Sequence, residues 1–429
     1  MLLLHKKILY LYFNKNQILK NMDRRLFFSV ALCLFSLMSF TSCSDDDKDD
    51  KGGNTGGYSN LSVEQRKQKV EKVGIDLLNK INPEDHKVAI QALNSFVDLF
   101  PDDEQVTPGY GPLAAANNLG TAVALAAGAM NFMDLIAVDP GTFVYNPRTQ
   151  EFDRTARTPS NGVIYQYPVG NSPTNNATIE ATYSGESLTE IDGVKIPSLI
   201  NILLTVDGAE QLKAEVSHTG KLNDLADYAE ITVARTYVTR ADITARSGRV
   251  YCKSNLRVGG EEILSMNGTI TGTFTLPSSP DTNLDPDEES EKIDNADFTI
   301  SVLNQLSIAG TANTRAIIDY QTTHTSDIEF NKELVDALVN VYNQNMDIRI
   351  LDQDASVLAN IVKYTLTDKV YYWNSVTNKG ETRDGYYDEL AFRFDDNTLI
   401  DIEEFTDNGF NDLINAWTSL AKAYESFLK

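Results

Sequence analysis

The stretch 263–276, with the sequence ILSMNGTITGTFTL, decides the fold that the sequence predicts. Its apolar side chains stand at alternate positions, so they share one face of an extended strand. One apolar and one polar face are typical of an antiparallel sheet with one covered side and one wet side. The apolar positions are Leu264, Met266, Ile270, Phe274 and Leu276.

The same alternation extends outward in both directions along the chain. It returns in 298–308, and turn-forming pairs such as Asp207-Gly208 and Gly259-Gly260 separate other runs of β-favouring residues. Strands do not alternate regularly with helices, as a parallel sheet would require. We therefore predict a long antiparallel β meander over residues 139–330.

Helical patterns flank the meander. In the section 60–138, Ser62 and Gln65 fit a capping box, and Asn82-Pro83 marks a second helix start. An Ala- and Gly-rich tract at 113–137 predicts a closely packed helix. The section 331–429 mixes an amphipathic helix, two hairpins and a closing helix, and we expect it to pack with the meander. The predicted fold class is α+β.

The N-terminus has the plan of a secretory signal, predicted over residues 1–42. Arg24 and Arg25 precede an apolar run at 26–40, which is shorter than the roughly 20 residues of a membrane-spanning helix. Met22, two residues before Arg24, is the start site that the signal plan favours. An extended positive region is the alternative.

The signal ends in Phe40-Thr41-Ser42-Cys43, which resembles a bacterial lipobox. The resemblance implies cleavage before Cys43 and acylation of that cysteine. Residues 43–59 then form an acidic, Gly-rich tether. The run 44–50 resembles the export tract of surface lipoproteins of the Bacteroidetes outer membrane. This implies an outer-membrane, lipid-anchored protein exposed at the cell surface, with the periplasmic face as the alternative.

Composition excludes some partners. The chain has 37 basic and 61 acidic side chains, a formal net charge of −24. Six of the basic and one of the acidic residues lie in 1–42, so cleavage leaves 31 against 60 and a charge of −29. Nucleic acid is excluded as a partner because its binding needs basic side chains. Only Cys252 remains as a thiol, which excludes an internal disulfide and predicts a core residue.

No pattern for catalysis or for a cofactor occurs in the sequence. His86, His218 and His324 are isolated, and acidic pairs are too common in so acidic a chain to nominate a catalytic residue. One tract alternates oxygen ligands in the manner of a calcium loop but lacks its glycine and closing glutamate, so a solvated loop is preferred. The ligands of this weak candidate are Asp281, Asn283, Asp285 and Asp287.

Tyr371 and Trp373 share one face of a predicted strand and are the speculative ligand-binding residues. Exposed aromatic rings stack on sugars or partner side chains, whereas buried rings form core, and we expect core here. The function that we expect is a non-enzymatic binding or structural role at the envelope, with an unidentified glycan or protein as partner. The alternatives are a periplasmic carrier of an apolar ligand and a glycan-acting accessory protein or enzyme.

Overall fold

A computed structural model shows a protein dominated by one sheet, with helices at both ends of the chain. Within the described residues the sheet has 16 strands, in the order β18-β17-β16-β15-β14-β13-β12-β11-β10-β9-β8-β7-β4-β3-β1-β2. The broad α+β prediction is therefore confirmed. The structure describes residues 57–99, 140–185, 190–191, 194–195, 197–221, 224–276, 292–323, 331–374, 379–395, 398–401 and 410–427.

The strands follow one another as neighbours for most of the sheet. Their bounds are β1 Gly141–Asn146, β2 Glu151–Ala156, β3 Gly162–Tyr167, β4 Ala177–Ser184, β5 Glu190–Ile191, β6 Val194–Lys195, β7 Leu199–Val206, β8 Ala209–Lys221, β9 Asp224–Val233, β10 Tyr237–Arg246, β11 Arg249–Val258, β12 Glu261–Gly272, β13 Ile293–Val302, β14 Leu306–Asn313, β15 Met346–Asp352, β16 Val357–Asn374, β17 Lys379–Arg393 and β18 Leu399–Asp401. Strands β5 and β6 form a separate two-stranded sheet.

Helices in the described ranges pack against the large sheet. They are α1 Val63–Asn79, α2 Pro83–Val97, α3 Thr314–Thr323, α4 Lys332–Asn345 and α5 Asn411–Ser426. Both predicted starts are confirmed: Ser62 and Gln65 bond reciprocally in a capping box, and the Asn82 side chain caps α2. The tract 113–137 lies outside the described residues.

The structure corrects the predicted meander in two places. Strand β1 pairs in parallel with β3, because β2 turns back on the outer side of β1; the other pairs of the large sheet are antiparallel. Residues Thr314–Thr323, predicted within the meander, form helix α3 instead. Its buried residue, Ile317, shows that tertiary burial decides the state of this short segment. Strands β15 to β18, which lie in the predicted C-terminal section 331–429, continue the same sheet.

Two apolar clusters hold helices on the sheet. Helix α2 packs against the β3–β10 half, where Phe96 contacts Tyr165 and Tyr167 at ring-centroid distances of 5.3 and 5.1 Å. Helices α1 and α5 pack against β12 to β17, around Leu358 and Phe394. Cys252 lies in a third, smaller cluster and is 3 % exposed, which confirms it as a core residue.

The deciding stretch 263–276 follows the predicted alternation in part, since Leu264, Ile270 and Leu276 are only half-buried. Met266 and Phe274 are buried. Ile263, on the opposite parity, is also fully buried, because the β11–β12 register shifts beside Leu256 and places an extra residue in β12. A bulge of this kind redirects a side chain without ending the strand.

Candidate functional site

A two-stranded ribbon projects from the β16–β17 end of the sheet. The two strands pair without a register shift from Asn360↔Arg393 to Asn374↔Lys379. In the described ranges, β15 pairs with β16 only up to Ile361, and β18 pairs with β17 only over residues 391–393. Residues 365–374 and 379–388, here called the ribbon, therefore continue beyond their neighbours for about 30 Å, at roughly 3.3 Å per residue.

Helix α4 fixes the base of the ribbon. The Asn343 side chain donates to the carbonyl of Lys363 and accepts from its N–H, both at 2.8 Å, and so occupies one step of the β16 edge. The hydroxyl of Thr365 donates to Asp336 at 2.6 Å. The ammonium group of Lys363 lies 2.8 Å from the Asp388 carboxylate and 5.2 Å from the centre of the Tyr342 ring. These contacts hold the ribbon on a rigid base.

Tyr371 corrects the expectation that its face is core. Its side chain is 70 % exposed, and its ring covers Gly380 on β17, where a Cβ would lie 1.6 Å from the Tyr371 hydroxyl oxygen. Trp373 pairs with Gly380 through the backbone register, and its side chain lies outside the described residues. The sequence signal for exposure was present, since Thr367 and Lys369 share the alternation of Tyr371 and are polar.

The flank of Tyr371 is polar and charged. Lys369 forms an ion pair with Asp384, its direct partner across the two strands. The hydrogen bond from Lys369 to this carboxylate raises the pKa of the lysine. Thr382 stands opposite Tyr371 and is exposed. The ribbon therefore presents one large aromatic ring beside groups that can donate and accept hydrogen bonds.

The first described residues of the chain, 57–59, pair with the opposite end of the same strand. Tyr58 forms a parallel bridge with Val357, the first residue of β16. The N–H of Ser59 donates to the Val357 carbonyl at 2.9 Å, and the Val357 N–H donates to the Gly57 carbonyl at 3.2 Å. Strand β16 thus runs from its contact with residues 57–59 to the end of the ribbon at Asn374.

Two other polar features are distinct from the ribbon. A shallow depression is lined by Lys69, Asp352, Gln353 and Asp354, and the Lys69 ammonium group lies 2.5 Å from Asp352. The second feature is His86, which is fully buried between α2, α5 and β10. Its Nδ1 is hydrogen-bonded to the Tyr424 hydroxyl, while no group of the described residues bonds its Nε2.

Burial sets the charge state of His86. Desolvation lowers its pKa to about 4, and the nearby Asp85 carboxylate only partly opposes this effect. Burial raises the pKa of Tyr424 and Tyr237, so both phenols stay neutral and bond as hydroxyls. The Tyr237 hydroxyl donates to Asp85 at 3.0 Å and accepts from the Asn82 N–H at 2.9 Å. The network therefore joins the starts of α2 and β10 to α5 with a neutral imidazole.

We expect His86 to make folding sensitive to acid. Its pKa is about 4 in the folded state, against an ordinary value of 6.5, so the unfolded chain binds the extra proton first as pH falls. Stability present above pH 6.5 is lost towards pH 4, by about 2 kcal/mol between pH 7 and pH 5 for this group. Urea unfolding at both pH values should show this excess loss relative to His86→Gln. Equal losses in the two proteins would contradict the neutral assignment.

The remaining sequence-predicted sites lie elsewhere. Cys43, His324 and the calcium candidate Asp281, Asn283, Asp285 and Asp287 lie outside the described residues, as does the side chain of His218. Within the described ranges, no group of three His, Cys, Asp or Glu residues could hold a metal ion. In the same ranges no helix is long and apolar enough to cross a membrane.

The fold and the ribbon together define a sheet-dominated α+β protein with a projecting hairpin. No protein-family model, curated protein or solved structure matches the chain.

Proposed function

We propose that the chain is a lipid-anchored, non-enzymatic binding protein of the cell envelope, and that the ribbon is its contact arm. The observation that carries this proposal is the exposure of Tyr371, at 70 %, on a strand that begins where the tether joins the body. The lipobox resemblance at Cys43 supplies the anchor.

The position of the arm supports presentation away from the membrane. Strand β16 has 18 residues, which extend for up to about 60 Å at roughly 3.3 Å per residue. Its first residue, Val357, pairs with Tyr58, and its last four residues, 371–374, lie at the far end of the ribbon. Tyr371 lies 14 residues, or about 46 Å, along β16 from Val357, and the predicted acidic tether adds to its distance from an anchor at Cys43. The charge of the body keeps it away from anionic headgroups.

Carbohydrate is the ligand class that we assign to the Tyr371 face. A sugar ring offers an apolar face for stacking and hydroxyl groups for hydrogen bonds. The exposed Tyr371 ring and the neighbouring Thr382, Lys369 and Asp384 side chains offer both. One exposed ring provides weak binding, so contact through several molecules on one polymer is the expected mode.

Tyr371→Ala should reduce binding to polysaccharide while leaving the fold intact. Because the side chain is 70 % exposed, we expect a change in unfolding free energy within about 0.5 kcal/mol. Native gels containing neutral polysaccharides such as xylan, starch or arabinogalactan measure binding as retardation of the protein. The matched control is Leu399→Ala, which removes another exposed apolar side chain, at the sheet edge. Equal retardation of both variants, or none for the wild type with any polymer, would refute the assigned ligand class.

Cys43→Ala should release the protein from the membrane. Without the thiol no acyl chain can be attached there, so incorporation of radiolabelled fatty acid should stop, and the protein should move to the soluble fraction. Protease added to intact cells should digest the anchored wild-type body if the arm faces outward. Normal labelling of the variant would remove the anchor from the proposal. Digestion only after lysis would place the protein on the periplasmic face.

A further inference from the structure

The two edges of the ribbon carry backbone groups that point outward. On β16, the N–H and the carbonyl of Lys363 face away from β17, because both bond Asn343 of α4. Along a strand, the backbone N–H and carbonyl groups of every second residue point to the same edge. The β16–β17 register continues without a shift up to Asn374. Thr367, Lys369 and Tyr371 therefore direct their backbone groups to the outer β16 edge, where the Lys369 N–H donates to the neighbouring Asp368 carboxylate at 2.6 Å and must exchange this bond to pair. In the described part of the chain, no strand pairs with this edge beyond Ile361.

The two edges differ in their protection against pairing. Between 379 and 388, the β17 edge has five charged residues: Lys379, Glu381, Arg383, Asp384 and Asp388. Charged side chains on an edge strand oppose the addition of another strand. Between 365 and 374, the β16 edge has only Asp368 and Lys369, and the rest are mostly β-branched and aromatic residues. Such residues favour strand pairing. The β17 edge is therefore protected against pairing and is called the guarded edge below. The β16 edge lacks this protection and is called the open edge.

We propose that the open β16 edge pairs in antiparallel fashion with the same edge of a second copy of this chain. The pairing uses the backbone edge rather than the Tyr371 face, so it does not depend on the carbohydrate ligand. It does rest on the ribbon being the contact arm.

The sequence of the edge fits itself in one register. In a symmetric antiparallel pair on this edge, one residue at the centre lies opposite the same residue of the second copy. Centring on Asp368 or Lys369 sets like charges directly opposite, which is unfavourable. Centring on Val370 avoids this, places Lys369 opposite Tyr371 of the second copy, and aligns residues 366–374 of both chains. A centre at Tyr371 also avoids like charges but aligns only 368–374. The Val370 register is therefore the longest of these without repulsion.

The antiparallel arrangement also separates the two acidic bodies. Each body lies at the base of its own ribbon, so the bodies stand at opposite ends of the pair. The distance between the two bodies exceeds the electrostatic screening length of about 8 Å at physiological ionic strength, so repulsion between their net charges does not prevent pairing. The two tethers likewise leave at opposite ends, which suits contact between molecules on facing surfaces.

The test uses the full-length protein extracted from its membrane in detergent, so that two molecules can approach each other from opposite directions. In the proposed register the two Val370 residues form a non-hydrogen-bonded pair, whose Cα atoms lie about 4.5 Å apart, within the range for a disulfide. Val370→Cys treated with copper phenanthroline should form a reducible dimer on gels. The protein that retains Val370 is the control, because any dimer that it forms must come from the native residues Cys43 or Cys252.

Two proline substitutions distinguish edge pairing from collision. Thr367→Pro removes an outward N–H from the open edge. Thr382→Pro does the same on the guarded edge, because Thr382 stands opposite the outward-facing Tyr371. Proline is tolerated where an edge N–H faces solvent, so both variants should keep the ribbon. In the Val370→Cys background, Thr367→Pro should lower the crosslinked fraction at least tenfold, whereas Thr382→Pro should leave it unchanged.

The outcomes decide the proposal separately from the assigned ligand. No dimer with Val370→Cys, or equal yields in both proline variants, would overturn the pairing. A specific dimer in a protein that no polysaccharide retards would keep the pairing and remove carbohydrate as the ligand. Retardation of the protein by a polysaccharide without a specific dimer would keep carbohydrate as the ligand and remove the pairing.

Discussion

Replacing Arg66 by Met should destabilise the protein by about 3–5 kcal/mol, in the range of mutations that remove one partner of a buried polar network. Arg66 is 6 % exposed, and its guanidinium group donates to backbone carbonyls. These belong to Leu61 at 2.9 Å, Ser59 at 2.5 Å, Leu358 at 3.5 Å and Phe394.

The effect should be large because one side chain joins three parts of the fold. The bonds of Arg66 connect the segment 59–61 to Leu358 on β16 and to Phe394 at the end of β17. Methionine retains the apolar stem but leaves buried carbonyl oxygens without this donor, at a cost of about 1–3 kcal/mol for each unsatisfied group. Urea unfolding measures the change as a shift in the transition midpoint.

Lys72→Met on the same helix is the control for Arg66→Met. Lys72 is exposed and pairs with Asp76 one turn away at 3.0 Å. Exposed pairs of this kind contribute about 0.3–0.5 kcal/mol, so the control should be nearly neutral. If both variants unfold at the same urea concentration, the hydrogen bonds of Arg66 do not hold the N-terminal segment in solution. The entry point of the tether beside Val357 would then lose its support.

Leu358→Ala should cost about 3–5 kcal/mol, through lost burial and the cavity that remains. Leu358 is 0 % exposed and belongs to the cluster beneath α1 and α5. It occupies the register shift between β15 and β16, where Ile350 pairs with Ala359 and Leu351 with Val357. Leu358 is the extra, unpaired residue of this β-bulge, and its side chain therefore lies in the core. Thermal or urea unfolding should show the loss.

The same substitution at Leu399 makes the comparison direct. Leu399 is 45 % exposed on β18, so Leu399→Ala should change stability by no more than about 0.5 kcal/mol. Similar losses for the two variants would mean that Leu358 is not packed as the structure has it.

The ribbon shows where prediction from the sequence ends. Alternation predicted that Tyr371 and Trp373 occupy one side of a strand, and the backbone register agrees with that spacing. Whether that side was core depended on how far β15 and β18 extend alongside the hairpin. They end at its base, so Tyr371 is exposed where core was expected. Strand alternation reports which residues share a face but contains no information about what covers it.

Local patterns alone determined the helix starts at Ser62 and Asn82, the turns at Asp207-Gly208 and Gly259-Gly260, and the alternating strands of the meander. These features depend on backbone geometry and on neighbours within a few residues. Only the tertiary structure decided the helical state of α3, the parallel β1–β3 pair, the bulges that bury Ile263 and Leu358, and the joining of the C-terminal strands to one sheet. Those outcomes depend on contacts between residues far apart in the chain, which compete with local preference and which no short stretch of sequence encodes.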